Sequence, residues 1–117
     1  MPRSRGRAAS LTGAAPVFTA LGDDTRLYLV SRLCREGPLS IARLTEGTNL
    51  SRQAVTKHLH VLSDAGLARG GRNGREQLWR IDGRRIDDVQ KLLREISAQW
   101  DAALGRLRAF VEKNETP

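Results

Sequence analysis

The stretch SRQAVTKHLHVLSDA, from Ser51 to Ala65, does most to limit what the chain can fold into. Ser51 suits a helix N-cap, because its hydroxyl can accept a hydrogen bond from a free backbone N–H of the first turn. Gly66 suits the other end, since it accepts the left-handed backbone that C-terminal caps use. Between them Val55, His58, Leu59 and Leu62 recur at i, i+3, i+4, i+7 and form an inward face. Arg52, Gln53, Thr56, Lys57 and His60 form the outward face. These residue types bind phosphates and read base edges in a major groove. A lone face of this composition is more often merely solvated. The segment beyond Gly66 tips the balance.

There the chain reads LARGGRNGREQLWRI. Asn73-Gly74 signals a tight hairpin, with both residues accepting the positive φ of a type I′ turn. The arms are Leu67 to Arg72 and Arg75 to Ile81, and alternation in the second sends Trp79 and Ile81 inward. Arg72, Asn73 and Arg75 sit at the tip, with Arg69 and Arg80 behind. A hairpin tip ringed with arginines beside a donor-rich helix fits a wing lying along a DNA backbone. The expected DNA contacts are therefore Ser51, Arg52, Gln53, Thr56, Lys57 and His60 on the helix, and Arg69, Arg72, Asn73 and Arg75 on the wing.

Charge points the same way. The formal net charge is +7, and residues 51–80 hold six Lys and Arg against two acids, a net +4. An excess gathered on the helix and hairpin favours nucleic acid over an acidic membrane surface. No apolar run approaches the roughly 18 residues that span a bilayer. The basic N-terminus lacks the apolar stretch of a secretory signal. One cysteine, Cys34, excludes an intramolecular disulfide framework. A cytoplasmic protein is expected.

Residues 1–12, small and basic with Arg3, Arg5 and Arg7 alternating, read as a disordered tail, either a frayed end or a minor-groove arm. Residues 13–117 read as one domain, mainly α with a small β-hairpin: about five helices plus a two-stranded wing. A short helix carrying Val17, Phe18 and Leu21 begins near Ala15 and breaks at Gly22. Asp23 caps the next, where Leu27, Leu29, Val30, Leu33 and Cys34 are expected in the core. Gly37-Pro38 ends it, and Ser40 starts another short helix before the turn at Gly47. Two short helices joined by a tight turn, the second exposing donors, make a helix-turn-helix, and the hairpin makes it winged. From about 83 to 113 an apolar stripe including Leu93, Ile96, Trp100, Leu104 and Leu107 runs about seven turns, too long to fold back on so small a domain. With Val17, Phe18 and Leu21 it forms the expected interface of a homodimer.

This order resembles the ArsR-type winged-helix repressors of bacteria, from about Val17 to the end of the last helix. The motifs are FTALGDDTRLYLVSRL, LSRQAVTKHLHVLSDAGL and GRNGREQLWRI. The resemblance implies a homodimer built on the first and last helices, recognition helices in successive major grooves of double-stranded DNA, and repression relieved by a signal. Relatives that sense metals through thiolates carry Cys-x-Cys where this chain has Ser40 and Ala42. Others use Asp and His on the last helix; this one has Asp87 and Asp88 but no histidine there. No metal and no cofactor is expected. The ending AQWDAALGRLRAFVE resembles a metal-free branch, which leaves room for an unknown small-molecule effector.

Two other readings stay open. A winged-helix protein-interaction module would use the same long helix for a foreign partner. A thiol redox regulator would act through Cys34. No nucleophile–base pair, metal cluster or phosphate-cradling loop marks an enzyme, so no catalytic residue is expected.

Overall fold

A computed structural model of the chain describes residues 13–115. Helix α1 covers residues 13–21. After it come α2 (Asp24–Glu36), β1 (Leu39–Ser40), α3 (Ile41–Glu46), α4 (Arg52–Asp64), β2 (Ala68–Asn73), β3 (Glu76–Ile81) and α5 (Ile86–Glu115). The fold is a mainly α winged helix-turn-helix, as the sequence implies. The basic tail expected over residues 1–12 lies outside the described residues. The chain is already helical at Gly13, so the start expected near Ala15 is too late. Ala14 is buried.

Local chemistry sets the element ends. Asp23 caps α2 by accepting from Arg26 N, Ser40 caps α3 from Arg43 N, and Ser51 caps α4 from Ala54 N. At the far end of α4, Gly66 adopts φ 79°, and Leu67 N donates to Leu62 O while Gly66 N donates to Ser63 O. This 6→1 and 5→2 pair satisfies carbonyls that the helix would otherwise leave open. It also turns Leu67, itself buried, into the wing.

The wing is part of a three-stranded antiparallel sheet in the order β1-β3-β2, one strand more than the two expected. The extra strand is two residues long, pairing Leu39 with Trp79 and Ser40 with Leu78. A segment that short carries no readable period, and Ser40 doubles as the cap of α3. The hairpin turn also differs from expectation. Asn73 pairs with Glu76, so Gly74 and Arg75 are the loop residues, and Gly74 alone takes positive φ, 66°. That is the pattern of a II′ turn, which needs only its first central residue left-handed.

Leu29, Leu44, Leu59, Leu62, Val17 and Val55 are fully buried and join α1 to α4 in one core, which Trp79 closes from the sheet. Two expectations for α2 fail. Cys34 is exposed, and Arg32 is buried in its place. At about 100° per residue Cys34 lies about 140° round the helix from Leu29, outside the buried arc. Leu27 lies on the side opposite Leu29 and is 52% exposed.

Candidate nucleic-acid interface

Helix α4 buries Val55, Leu59 and Leu62 and turns its other side to solvent. Arg52, Gln53, Lys57 and His60 are exposed there; Thr56 is half-buried and donates its hydroxyl back to Arg52 O at 2.7 Å. Ser51 is exposed, with its hydroxyl engaged in the cap. Ser51, Arg52, Gln53, Thr56 and Lys57 thus share the amino-terminal and outward side of one helix, while His60 lies toward its other end. His58, expected inward, is half-buried against α2.

Strand register divides the wing. Arg72 pairs with Gln77, and Gly70 with Trp79, so Arg72 stands on the sheet face that Trp79 turns to the core. Arg69 pairs with Arg80 on the opposite face, which sets it apart from Arg72. Two cations directly across a ladder repel. Asn73 and Arg75 are exposed at the tip. The arginines expected to act together therefore serve two sides of the hairpin, a split that their spacing of three along a strand already implies.

Three polar contacts hold the pieces in place. Arg26 donates Nε to Ala20 O at 2.7 Å and Nη2 to Thr19 O at 3.4 Å, while Nη1 lies 3.3 Å from His58 Nδ1. Its backbone N–H also draws the Asp23 carboxyl below the ordinary carboxylate range. Arg32 donates to Arg43 O at 2.8 Å and Leu44 O at 3.4 Å, and bonds Glu36 Oε2 at 2.7 Å. The Glu36 bond raises the Arg32 pKa, and Arg32 in turn lowers that of Glu36. Asp82, buried between β3 and α5, accepts from Arg84 N, Nε and Nη2 and is held down to about 2 by that guanidinium. None of the three is visible in the sequence pattern.

Known proteins share this arrangement. A helix-turn-helix domain family matches residues 21–70. The arsenic resistance transcriptional regulator of Pseudomonas putida is 30% identical over 107 residues, spanning 86% of this chain and 82% of that protein. An uncharacterised helix-turn-helix regulator of Bacillus subtilis is 38% identical over 81 residues, 64% of this chain and 88% of its own length. Among solved structures, an ArsR-like transcriptional regulator from a Rhodococcus species superposes with a TM-score of 0.75 at 32% identity, covering 91% of this chain and 96% of that one. The chain belongs to the ArsR family of transcriptional regulators. Its biochemical class is accordingly that of a DNA-binding regulator. A further relative, the homodimeric winged helix-turn-helix domain from Mycobacterium bovis, has a TM-score of 0.63 at 25% identity, covering 80% of this chain and 85% of that one.

The rest of this ArsR-family regulator bears on assembly and ligands. On α5, Val89 is buried, while Leu93, Ile96, Trp100, Leu104, Leu107, Phe110 and Val111 are all exposed. Phe18 is partly exposed and Leu21 half-buried, but Val17 is buried within its own protomer. Val17 is therefore withdrawn from the expected dimer contacts, because a side chain already covered has no surface to offer. Among the described residues, no three His, Cys, Asp or Glu side chains come together as a metal site. No described helix is long and apolar enough to cross a membrane.

Proposed function

We propose that the protein is a homodimeric repressor that binds an inverted-repeat operator, with α4 in the major groove and the wing beside the phosphate backbone. The observation that carries this reading is the outward face of α4: Arg52, Gln53, Thr56 and Lys57 stand over its first two turns with no acidic residue among them. The amino-terminal residues of a recognition helix are the ones that reach base edges. Arg72, on the sheet face nearer α4, and Asn73 and Arg75 at the tip supply phosphate contacts, with Arg69 an outlying one. Dimerisation is supported by the α5 stripe. Seven large apolar side chains exposed along one helix exceed what a monomer surface ordinarily keeps. Leu93, Ile96, Trp100, Leu104 and Leu107, with Phe18 and Leu21, are the proposed contacts. Ser40 and Ala42 are poor soft-metal ligands, so we infer that the inducing signal is something other than a thiophilic metal, with a small-molecule effector the leading class. The domain plan we propose is a basic tail over residues 1–12 and one winged-helix domain over residues 13–117, whose last helix, from about 83 to 113, serves dimerisation.

Footprinting on the DNA upstream of the protein's own gene, at low and near-physiological salt and with unrelated DNA as competitor, tests the reading. Protection of an inverted repeat with half-sites about one helical turn apart is expected to survive the competitor. Binding lost equally from every DNA at the higher salt would leave only a basic surface, and the reading would fail.

A further inference from the structure

His60 fits poorly with the base-reading role that its residue type suggests. It stands eight residues beyond Arg52, about 12 Å further along the helix axis from the end that enters a groove. Its ring meets Trp79 edge to face, with centroids 5.7 Å apart and planes at 90°. Trp79 is buried on β3, and its Nε1 has no hydrogen-bond partner among the described residues, so packing alone locates the indole. From across the ladder Gly70 supplies no side chain; a Cβ there would lie 3.4 Å from the indole ring and 3.1 Å from Gln77 Nε2. The imidazole of His60 thus supplies an aromatic contact from α4 to the sheet, at the root of the hairpin.

We propose that His60 is a positioning residue: its ring braces the wing against α4 through Trp79, and it reads no base. Edge-to-face pairs favour one relative tilt of the two rings. Trp79 lies two residues from Gln77, which faces Arg72. The contact therefore fixes the angle at which Arg72 and the tip leave the body, and with it the spacing between groove and backbone contacts. The role in DNA binding rests on the function proposed above, whereas the brace itself does not.

The first measurement is amide hydrogen exchange on the free protein, for the native chain, His60→Ala and His60→Phe. His60→Ala should speed exchange of the outer β2–β3 amides severalfold, up to about tenfold, the range of one aromatic contact. His60→Phe, which keeps a ring, should stay near native. Unchanged exchange in His60→Ala overturns the brace whether or not the protein binds DNA. The second is DNA affinity in a cycle with Arg75→Ala. A brace acting through the wing gives overlapping losses, the double variant weakening binding less than the product of the singles, and His60→Phe restores most of the loss. Additive losses, with His60→Phe no better than His60→Ala and relaxed preference at one base pair per half-site, would make His60 a base reader and sink the proposal. Faster wing exchange in a protein that binds no DNA would keep the brace and remove the proposed function instead.

Discussion

Replacing Arg32 tests how the first helix of the helix-turn-helix is held. Its Nη1 donates to Arg43 O at 2.8 Å and Leu44 O at 3.4 Å, both in the last turn of α3, where carbonyls have no intrahelical partner. The same guanidinium bonds Glu36, whose side chain is 40% exposed. The two halves of the arrangement differ in weight. Exposed i, i+4 ion pairs contribute little. A charged donor to a buried carbonyl contributes about 1.5–3 kcal/mol, and losing it leaves the carbonyl unsatisfied. Arg32→Met keeps the aliphatic stem and removes the donors, so the expected cost is about 2–3 kcal/mol. For a domain near this size that lowers the midpoint by roughly 10–20 °C. Urea denaturation at fixed protomer concentration reads the change, because a dimer's stability depends on concentration. Glu36→Ala serves as the control and should cost far less. If Arg32→Met falls within about 0.5 kcal/mol of the native chain, or Glu36→Ala matches it, the carbonyl staple is not what holds α3.

Three further outcomes are expected. Arg75→Ala, present twice in a dimer, should reduce the slope of log affinity against log salt by about 1.8, and Lys57→Ala by a similar amount; an unchanged slope in both would move the DNA surface elsewhere. Asp82 titrates lower in the folded chain, about 2 against an ordinary 3.8, so the native state binds fewer protons than the unfolded one and stability falls as pH drops through that window. Acid unfolding of Asp82→Asn should be flatter between those two values than that of the native chain, and equal steepness would refute the assignment. Trp100→Glu should weaken self-association about a thousandfold by sedimentation, from two copies of a contact of about 2 kcal/mol each, and an unaltered dimer would exclude the α5 stripe as its seam.

Much of the fold is legible in the sequence because local rules and tertiary packing agree. The caps Asp23, Ser40 and Ser51, the Gly66 terminator and the alternation about Trp79 each appear where the sequence puts them. Misreadings cluster where apolar residues outnumber inward positions. On α2 the pattern allows several arcs, and packing against α4 and β3 selects the one through Leu29, Arg32 and Leu33, which exposes Cys34. A buried arginine has no periodic signature, since its burial depends on carbonyls eleven and twelve residues away. The turn at Gly74 sits one residue from its expected place because Asn-Gly permits two loop registers, and the pairing of Asn73 with Glu76 decides between them. The wing arginines look like one group when charge is counted along the chain, and separate only when it is counted by strand face.

The same long-range contacts explain how a six-residue α3 and a thirteen-residue α4 can present a fixed surface. Neither helix is long enough to be stable by itself in water. Arg26 ties α4 to the end of α1: Nε donates to Ala20 O, Nη2 adds to the bond that Thr19 O already accepts from Gly22 N, and Nη1 meets His58 Nδ1. Asp23, 3.9 Å from the same nitrogen, offsets the positive charge gathered there. His58 lies one residue from Lys57 and about one turn from Ala54 and Val55, so Arg26 holds the helix that carries the outward face. The orientation of α4 is thus fixed at its back by α1 and α2, elements with no place on the outward face themselves.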